Sequence, residues 1–534
     1  MDFQRYFFIF IILILSFFLF RAWNLENNIS NNVDINLKNR KNINLNFIQD
    51  FKRKYINVRT DVLSLNLNLL GGDVEEADLL LYKKNLKEKK SFTLLKNKKN
   101  FLYKIVSGIS GKEGIDFLDF QKRPLYLVNF GLYRFKKNEK ILKVPLFWKS
   151  STGILYIKTF IFKKGHYDFD IEYSIYNPLN QKLNIILFSE IHQMNFFSKY
   201  LKNTWRNFLK LKTYYGAAYS CDQKNYIKYS FDSIKKNKNF SLSTKHGWIS
   251  MLQQYFSVAI IPRNNITHYI YSYFLKNNIS VIGISSENKI ISPHSMKKFI
   301  FTYWVGPSIY KYLNKIVPYL TYLIDYGWFW LLSQVFLQIL LFFYSFLHSW
   351  GLSIIFITVC VRSIMFPLMK LQYRSMNKIK KIQPEISKIQ KKFFGNTILI
   401  NQKILALYQK ENINPLNSFL PMLIQMPIFL ALYHMLMEAV ELRHSSFLFW
   451  IKDLSNQDEY YILPFLMGLS MFFMNLNTSK NDSNLISSKM IYFIPIMFTI
   501  FFSCFPSGLV LYYLISNLVT ILQQKIIFFK YFKN

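Results

Sequence analysis

Residues 356–368 read FITVCVRSIMFPL, and the reading of this stretch decides the fold. Apart from Arg362, residues 351–369 carry no charge over 19 positions, close to the ~20 residues that one α-helical membrane crossing needs. An arginine at the centre of such a helix costs about 2.5–3.5 kcal/mol on insertion scales. Its presence there points to a use for the charge.

Composition supports the membrane reading. Of 534 residues, 51% are hydrophobic and 18% aromatic, with a mean hydropathy of +0.10. The apolar residues concentrate at 3–20 and again from 327 onward, while the middle is polar and alternating. The pattern is that of a membrane protein with one large aqueous domain. The formal charge of +37 does not by itself indicate nucleic acid. The lysines accompany many Asn, Ile, Phe and Tyr residues, all with A/T-rich codons, so only the distribution of charge is informative. Of the three cysteines, Cys360 and Cys504 lie in apolar segments, leaving Cys221 with no disulfide partner in the polar region.

At the start, residues 6–20 form an uncharged, mostly apolar run of 15 residues between Arg5 and Arg21. No small-x-small cleavage site follows, so 1–23 is expected to be an uncleaved signal-anchor helix. Residues 24–60, rich in Asn and Lys, read as a flexible tether. From 61 to 325 the runs YLVNFGLYRF, GILYIKTFIF, YDFDIEYSIY and KLNIILFSEI alternate with period two, which predicts antiparallel strands in a β-sandwich. Gly71 and Gly72 read as a turn.

Loop charges set the topology. Residues 370–412 carry Lys370, Arg374, Lys378, Lys380, Lys381, Lys388, Lys391, Lys392, Lys403 and Lys410 against Glu385 and Glu411. Residues 438–460 are acidic on balance, so the first loop is placed inside and the second outside. That order requires 326–350 to be an interfacial amphipathic helix, with Ser333, Gln334 and Gln338 on its wetter side, rather than a crossing. The expected fold is a polytopic α-helical membrane protein of six transmembrane helices with a large outer β-sandwich. After the anchor its crossings are 351–369, 416–437, 461–476, 490–503 and 509–524, so that 351–534 forms a five-helix core. Within the basic loop, Ile379, Ile382, Ile386, Ile389 and Phe393 are spaced 3, 4, 3 and 4, and Ile400, Ile404 and Leu407 continue the seam after Gly395 and Asn396. This predicts a helical hairpin over 371–412, with Pro384 kinking its first arm.

The partners of Arg362 are the next question. Lys370 is eight residues on, about 12 Å along a helix, and an extended arginine side chain covers roughly half of that. No other span supplies a carboxylate; Glu438 and Glu441 lie at or beyond an outer end. The charge therefore needs water or neutral dipoles. Thr358 shares its face at i−4, and other spans offer Gln425, Ser470, Tyr512, Tyr513, Ser516 and Asn517. Singly, each is more often an interhelical hydrogen bond; together they suggest a wet, positive cavity open to the cytoplasm. Such a cavity attracts either a small anion, as in a transporter or channel, or the acidic end of another membrane protein. There is no HExxH, GxSxG or GxxxxGK[ST] motif and no cysteine pair at metal spacing. No enzyme activity, cofactor or metal is expected.

Several long stretches resemble one family. They are LLGGDVEEADLLLY (69–82), GWISMLQQYFSVAIIP (247–262), YWVGPSIY (303–310), VRSIMFPLMKLQYRSM (361–376), NINPLNSFLPMLIQMPIFLALYHMLMEAVELR (412–443) and FPSGLVLYYLISNLVTILQQ (505–524). In these the chain resembles the bacterial YidC membrane protein insertases, of the Gram-negative type with a large periplasmic domain. The resemblance implies a substrate groove lined by Arg362, Thr358, Gln425, Met426, Tyr512 and Tyr513, to which the span pattern adds Ser516. It implies recruitment of substrate by the hairpin residues Arg374, Lys378, Lys380, Lys381, Lys388, Lys391 and Lys392. Implied partners are nascent membrane proteins, the Sec translocon, the ribosome and membrane lipid, with no small-molecule substrate, at the bacterial inner membrane with both termini cytoplasmic and about 24–350 periplasmic. Because the chain ends at Lys533 and Asn534, ribosome contact through a long basic tail is not expected. A purely structural assembly factor is the remaining rival, and it leaves Arg362 unexplained.

Overall fold

A computed structural model describes residues 55–532 apart from 87, 89, 99–100, 117–122, 196–213, 238–239, 264–265, 318, 412, 414–415 and 480–484. The signal anchor at 1–23 and most of the tether lie outside the described residues.

The polar region folds into an 11-stranded and an 8-stranded sheet. The strand Leu155–Lys163 shows how the sequence does this: every second residue is buried, as period-two alternation requires. It pairs antiparallel with Ile141–Lys149 on one side and Asp168–Asn177 on the other. The two sheets bury their facing sides against each other. Tyr303 on the 8-stranded sheet meets Ser189 on the 11-stranded sheet, hydroxyl to hydroxyl, at 2.7 Å. Across the same core Tyr103 Oη donates to the Met251 carbonyl at 3.2 Å.

Three of the four quoted alternating runs form the expected strands. The fourth, YLVNFGLYRF, is a strand only at Leu132–Arg134. Its earlier part makes a single bridge, Leu127 to Phe147, with Leu127 and Phe130 exposed. Alternation there has no neighbouring strand to complete a ladder. The tether also ends sooner than expected, because Tyr55–Arg59 is a strand paired with Leu63–Asn68. Gly71 and Gly72 do form a turn, with φ of +80° and +65°. A Cβ on Gly71 would lie 2.3 Å from the Arg123 guanidinium carbon, so only glycine fits.

Helices α1 (Phe231–Lys236) and α2 (Tyr310–Ile316) belong to this domain's surface. There follow α3 (Trp330–Leu347), α4 (Trp350–Ile364), α5 (Phe366–Lys392), α6 (Thr397–Lys410), α7 (Leu416–Glu438), α8 (Ile462–Ser479), α9 (Leu485–Phe502) and α10 (Ser507–Phe532). Among the described residues, Gly327–Leu347 and Ser507–Ile527 are long and apolar enough to cross a membrane. Trp350–Ile364 with Phe366–Met376 makes a third if that bent pair is one span. The apolar parts of α7, α8 and α9 are shorter.

The run 351–369 is therefore not one straight helix. The chain bends by 57° between α4 and α5. Pro367, in the first turn of α5, has no N–H to bond back across the break, and its ring crowds the preceding turn. The 326–350 reading needs a correction at Ser333. This residue is fully buried, and its hydroxyl donates to the Ala431 carbonyl at 2.9 Å, so it faces α7 and not water. Gln338 is exposed, on a face that also exposes Leu331, Val335 and Phe342.

The basic loop is a helical hairpin. Ile382 and Ile386 of α5 are buried with Ile413, and Ile379, Ile404, Leu407 and Tyr408 pack around them. Gly395 turns the chain with φ +94°, and Asn396 caps α6 by accepting from the Leu399 N–H at 3.1 Å. Helix α5 continues through Pro384 without a break. Phe393 and Ile400 are only half-buried.

Candidate substrate groove

Arg362 stands near the end of α4, where α7 and α10 also converge, and only 7% of it is exposed. Its Nε donates to Ser516 Oγ of α10 at 2.7 Å, and Nη2 donates to the same hydroxyl. Its Nη1 donates to Gln425 Oε1 of α7 at 2.9 Å. Both acceptors are neutral. Among the described residues no carboxylate lies within ion-pair distance of Arg362. The guanidinium keeps its charge in any protein environment, so a cation is held here by dipoles alone.

Around this cation the polar groups continue along α10. Gln523 Nε2 donates to the Arg362 carbonyl at 2.9 Å, and Gln524 Nε2 donates to the Tyr373 hydroxyl of α5. Asn517 Nδ2 donates to Ser470 Oγ of α8 at 3.1 Å. Ser516, Thr520 and Gln523 follow one another at spacings of 4 and 3, so they share a face of α10. That periodicity is the signal by which Gln523 could have been found from sequence; Tyr373 and Gln524 had none.

The structure thus joins Arg362, Gln425 and Ser516 directly. Tyr512 is buried, and Tyr513 packs edge-on to Phe429 with ring centres 5.2 Å apart; Met426 is half-buried next to Gln425. Thr358 is a different case. It is fully buried, and its hydroxyl donates to the Ile354 carbonyl of its own helix at 2.6 Å. It lies on the Arg362 face without addressing the guanidinium. In the hairpin, Arg374, Lys378, Lys381, Lys388, Lys391 and Lys392 are all exposed, while the Lys380 side chain lies outside the described residues.

Two family models cover nearly all of the described chain: the YidC periplasmic domain over residues 55–339 and the 60Kd inner membrane protein over residues 342–534. A membrane protein insertase YidC of Buchnera aphidicola subsp. Acyrthosiphon pisum (strain APS) is 46% identical over 539 aligned residues, which span 100% of both chains. This chain belongs to the YidC family of membrane protein insertases. A second YidC, from Buchnera aphidicola subsp. Baizongia pistaciae (strain Bp), is 44% identical, covering 99% of this chain and 98% of that one. A solved structure of an active YidC insertase superposes with a TM-score of 0.37 at 17% identity, covering 90% of this chain and 93% of that one, too loosely to carry an argument. With the YidC family established, the two halves of the chain correspond to its periplasmic and membrane parts, meeting between residues 339 and 342.

Proposed function

We propose that this chain inserts newly made proteins into the bacterial inner membrane, as its relatives named membrane protein insertase YidC do. The observation that carries this reading is Arg362, a buried cation whose partners, Ser516 and Gln425, are uncharged. Such a charge attracts the polar, acidic end of a substrate into the helical core. The distance that end must travel through hydrocarbon is shortened, and the apolar segment then leaves against lipid. Apolar burial and the membrane potential acting on charge supply the energy.

The groove is hydrated on this reading. Tyr512 Oη, Gln523 Oε1 and Gln524 Oε1 are buried with no hydrogen-bond partner among the described residues. A buried polar atom left unpaired costs about 1–3 kcal/mol, which water in the groove removes.

In the proposed topology, six helices cross, beginning with the signal anchor at 1–23. Both termini are cytoplasmic, residues 24–350 are periplasmic, and α3 lies along the outer interface. The loop charges support this arrangement, and so do the exposed Trp328, Trp330, Leu331, Phe342 and Phe346 around α3. The hairpin α5–α6 meets substrate and ribosome with its exposed lysines, and the β domain meets the Sec translocon. Neither an enzyme activity nor small-anion transport is part of this reading.

The test is photo-crosslinking from position 426, beside Gln425, to ribosome-bound chains stalled just after an apolar segment emerges. Crosslinks at that length, and not at shorter ones, are expected. Their absence, with crosslinks from a lipid-facing control site, would assign Arg362 another role.

A further inference from the structure

A cavity of about 670 Å³ lies on the outer face of the 8-stranded sheet, beneath α2. Its size is in the range that takes a compact small molecule. No part of the insertion mechanism uses it.

Its walls are aromatic. Trp304 and Trp248 line it, yet each is nearly fully buried, and neither indole nitrogen is exposed, so the cavity sees ring carbon. Tyr167 meets Trp304 edge-on at 5.9 Å and Tyr312 of α2 at 6.1 Å, which ties the roof to the sheet.

Its charged groups are mostly cationic. Lys163, Lys245, Arg263 and Lys315 line it against one carboxylate, Asp168. Asp168 is taken up by His166 at 3.0 Å, and Arg263 is engaged by Thr302 at 2.7 Å and Asp170 at 3.3 Å. Lys163, Lys245 and Lys315 have no carboxylate partner among the described residues. Three ammonium groups with no carboxylate partner, beside aromatic carbon, favour an anion whose attached carbon chain can lie on the rings, and the hydroxyls of Ser220 and Thr302 can meet hydroxyls on that chain.

The cavity is also close to the membrane helices. Tyr319 lines it and is half-exposed. It stacks on Tyr322 at 6.0 Å, and Tyr322 meets Trp330, the first residue of α3, at 5.8 Å. Two ring contacts therefore connect the cavity to a helix apolar enough for lipid.

We propose that this cavity binds a phosphoryl-glycerol group, its phosphate held by Lys163, Lys245 and Lys315 and its glycerol carbons resting on Trp304 and Tyr312. The nearness of α3 makes the headgroup of an anionic phospholipid the favoured source.

The experiment labels the full chain in detergent with phosphatidylglycerol that carries a photo-activatable headgroup, and maps the labelled peptides. Saturable labelling of 163–168 and 310–319 is expected, competed by unlabelled phosphatidylglycerol and not by phosphatidylcholine. The Lys163→Gln, Lys245→Gln, Lys315→Gln triple variant changes only exposed or half-exposed side chains and should lower labelling at least fivefold, with an unchanged melting temperature. Competition by soluble glycerol 3-phosphate as strong as by the lipid would assign the group to a free ligand at the same site. Labelling unchanged in the triple variant, or competed by an acidic peptide and by neither phosphoryl compound, would overturn the proposal.

Discussion

Arg443, in the loop after α7, places its guanidinium carbon 5.4 Å from the ring centre of Phe256 in the 8-stranded sheet. The same cation lies 5.1 Å from the Phe92 ring, and its Nη2 donates to the Lys84 carbonyl at 3.2 Å. Nearby, Gln254 Nε2 donates to the Met437 carbonyl at the end of α7 at 3.1 Å. The β domain is thereby latched to the helical core at the C-terminal end of α7. A cation over aromatic rings contributes roughly 0.5–2 kcal/mol. Arg443→Ala should therefore speed amide hydrogen exchange about twofold to thirtyfold in Ser91–Lys98 and Phe256–Pro262, the range that this energy sets. Exchange identical to the parent chain would show that the latch carries no load.

Arg362→Ala should lower insertion of a single-span substrate about tenfold, equivalent to ~1.4 kcal/mol. Arg362→Lys should keep most of it, because a positive charge remains in the groove. Ser516→Ala should have a smaller effect, since Gln425 still accepts from the guanidinium. Protease protection in reconstituted vesicles measures all three. Equal activity in Arg362→Ala and Arg362→Lys would mean that the charge is not what matters.

Gly71→Ala tests the buried network of the β domain. Arg123 bridges Asp73 at 2.6 Å and Asp116 at 2.8 Å, and Lys158 Nζ donates to the Gly71 carbonyl at 3.1 Å. The added methyl meets the guanidinium and also requires a left-handed backbone, so a loss of about 3 kcal/mol is expected. Gly131→Ala, with nothing within 4 Å of the new atom, is the control and should melt like the parent. Thermal unfolding followed by circular dichroism separates them.

Acid sensitivity should follow Glu190. Burial alone would raise its carboxyl, but the His192 ring at 2.7 Å and the hydroxyls of Tyr271 and Tyr273 outweigh that and hold it below the usual carboxylate range. A depressed carboxylate stabilises the fold above its unfolded pKa, and that stability is lost as pH falls through the lower folded value. The β domain should therefore lose stability below about pH 4.5. Glu190→Gln should flatten that acid limb in urea titrations. An unchanged limb would move the acid sensitivity to other carboxylates.

Much was legible in the sequence because periodicity reports which face of an element is buried. The period-two runs at 153–162, 167–176 and 182–191 became strands, and the 3, 4 spacing of Ile379, Ile382 and Ile386 became the seam of the hairpin. The lack of a carboxylate for Arg362 could likewise be read, since it needs only the composition of the spans. Whether Ser333 faced water could not be read, because a small hydroxyl serves equally on a wet face or as a close contact with another helix.

The sequence by itself determined the elements, the basic hairpin and an arginine in an apolar segment with no ionic partner. Only the tertiary structure decided that Ser516 and Gln425, and not Thr358, receive its hydrogen bonds. It alone decided that the chain bends at Met365, and that three lysines from separate segments line one aromatic-walled cavity. The reason is physical: a local pattern fixes the direction of a side chain within its own helix or strand, whereas its partner depends on which distant segments pack against it.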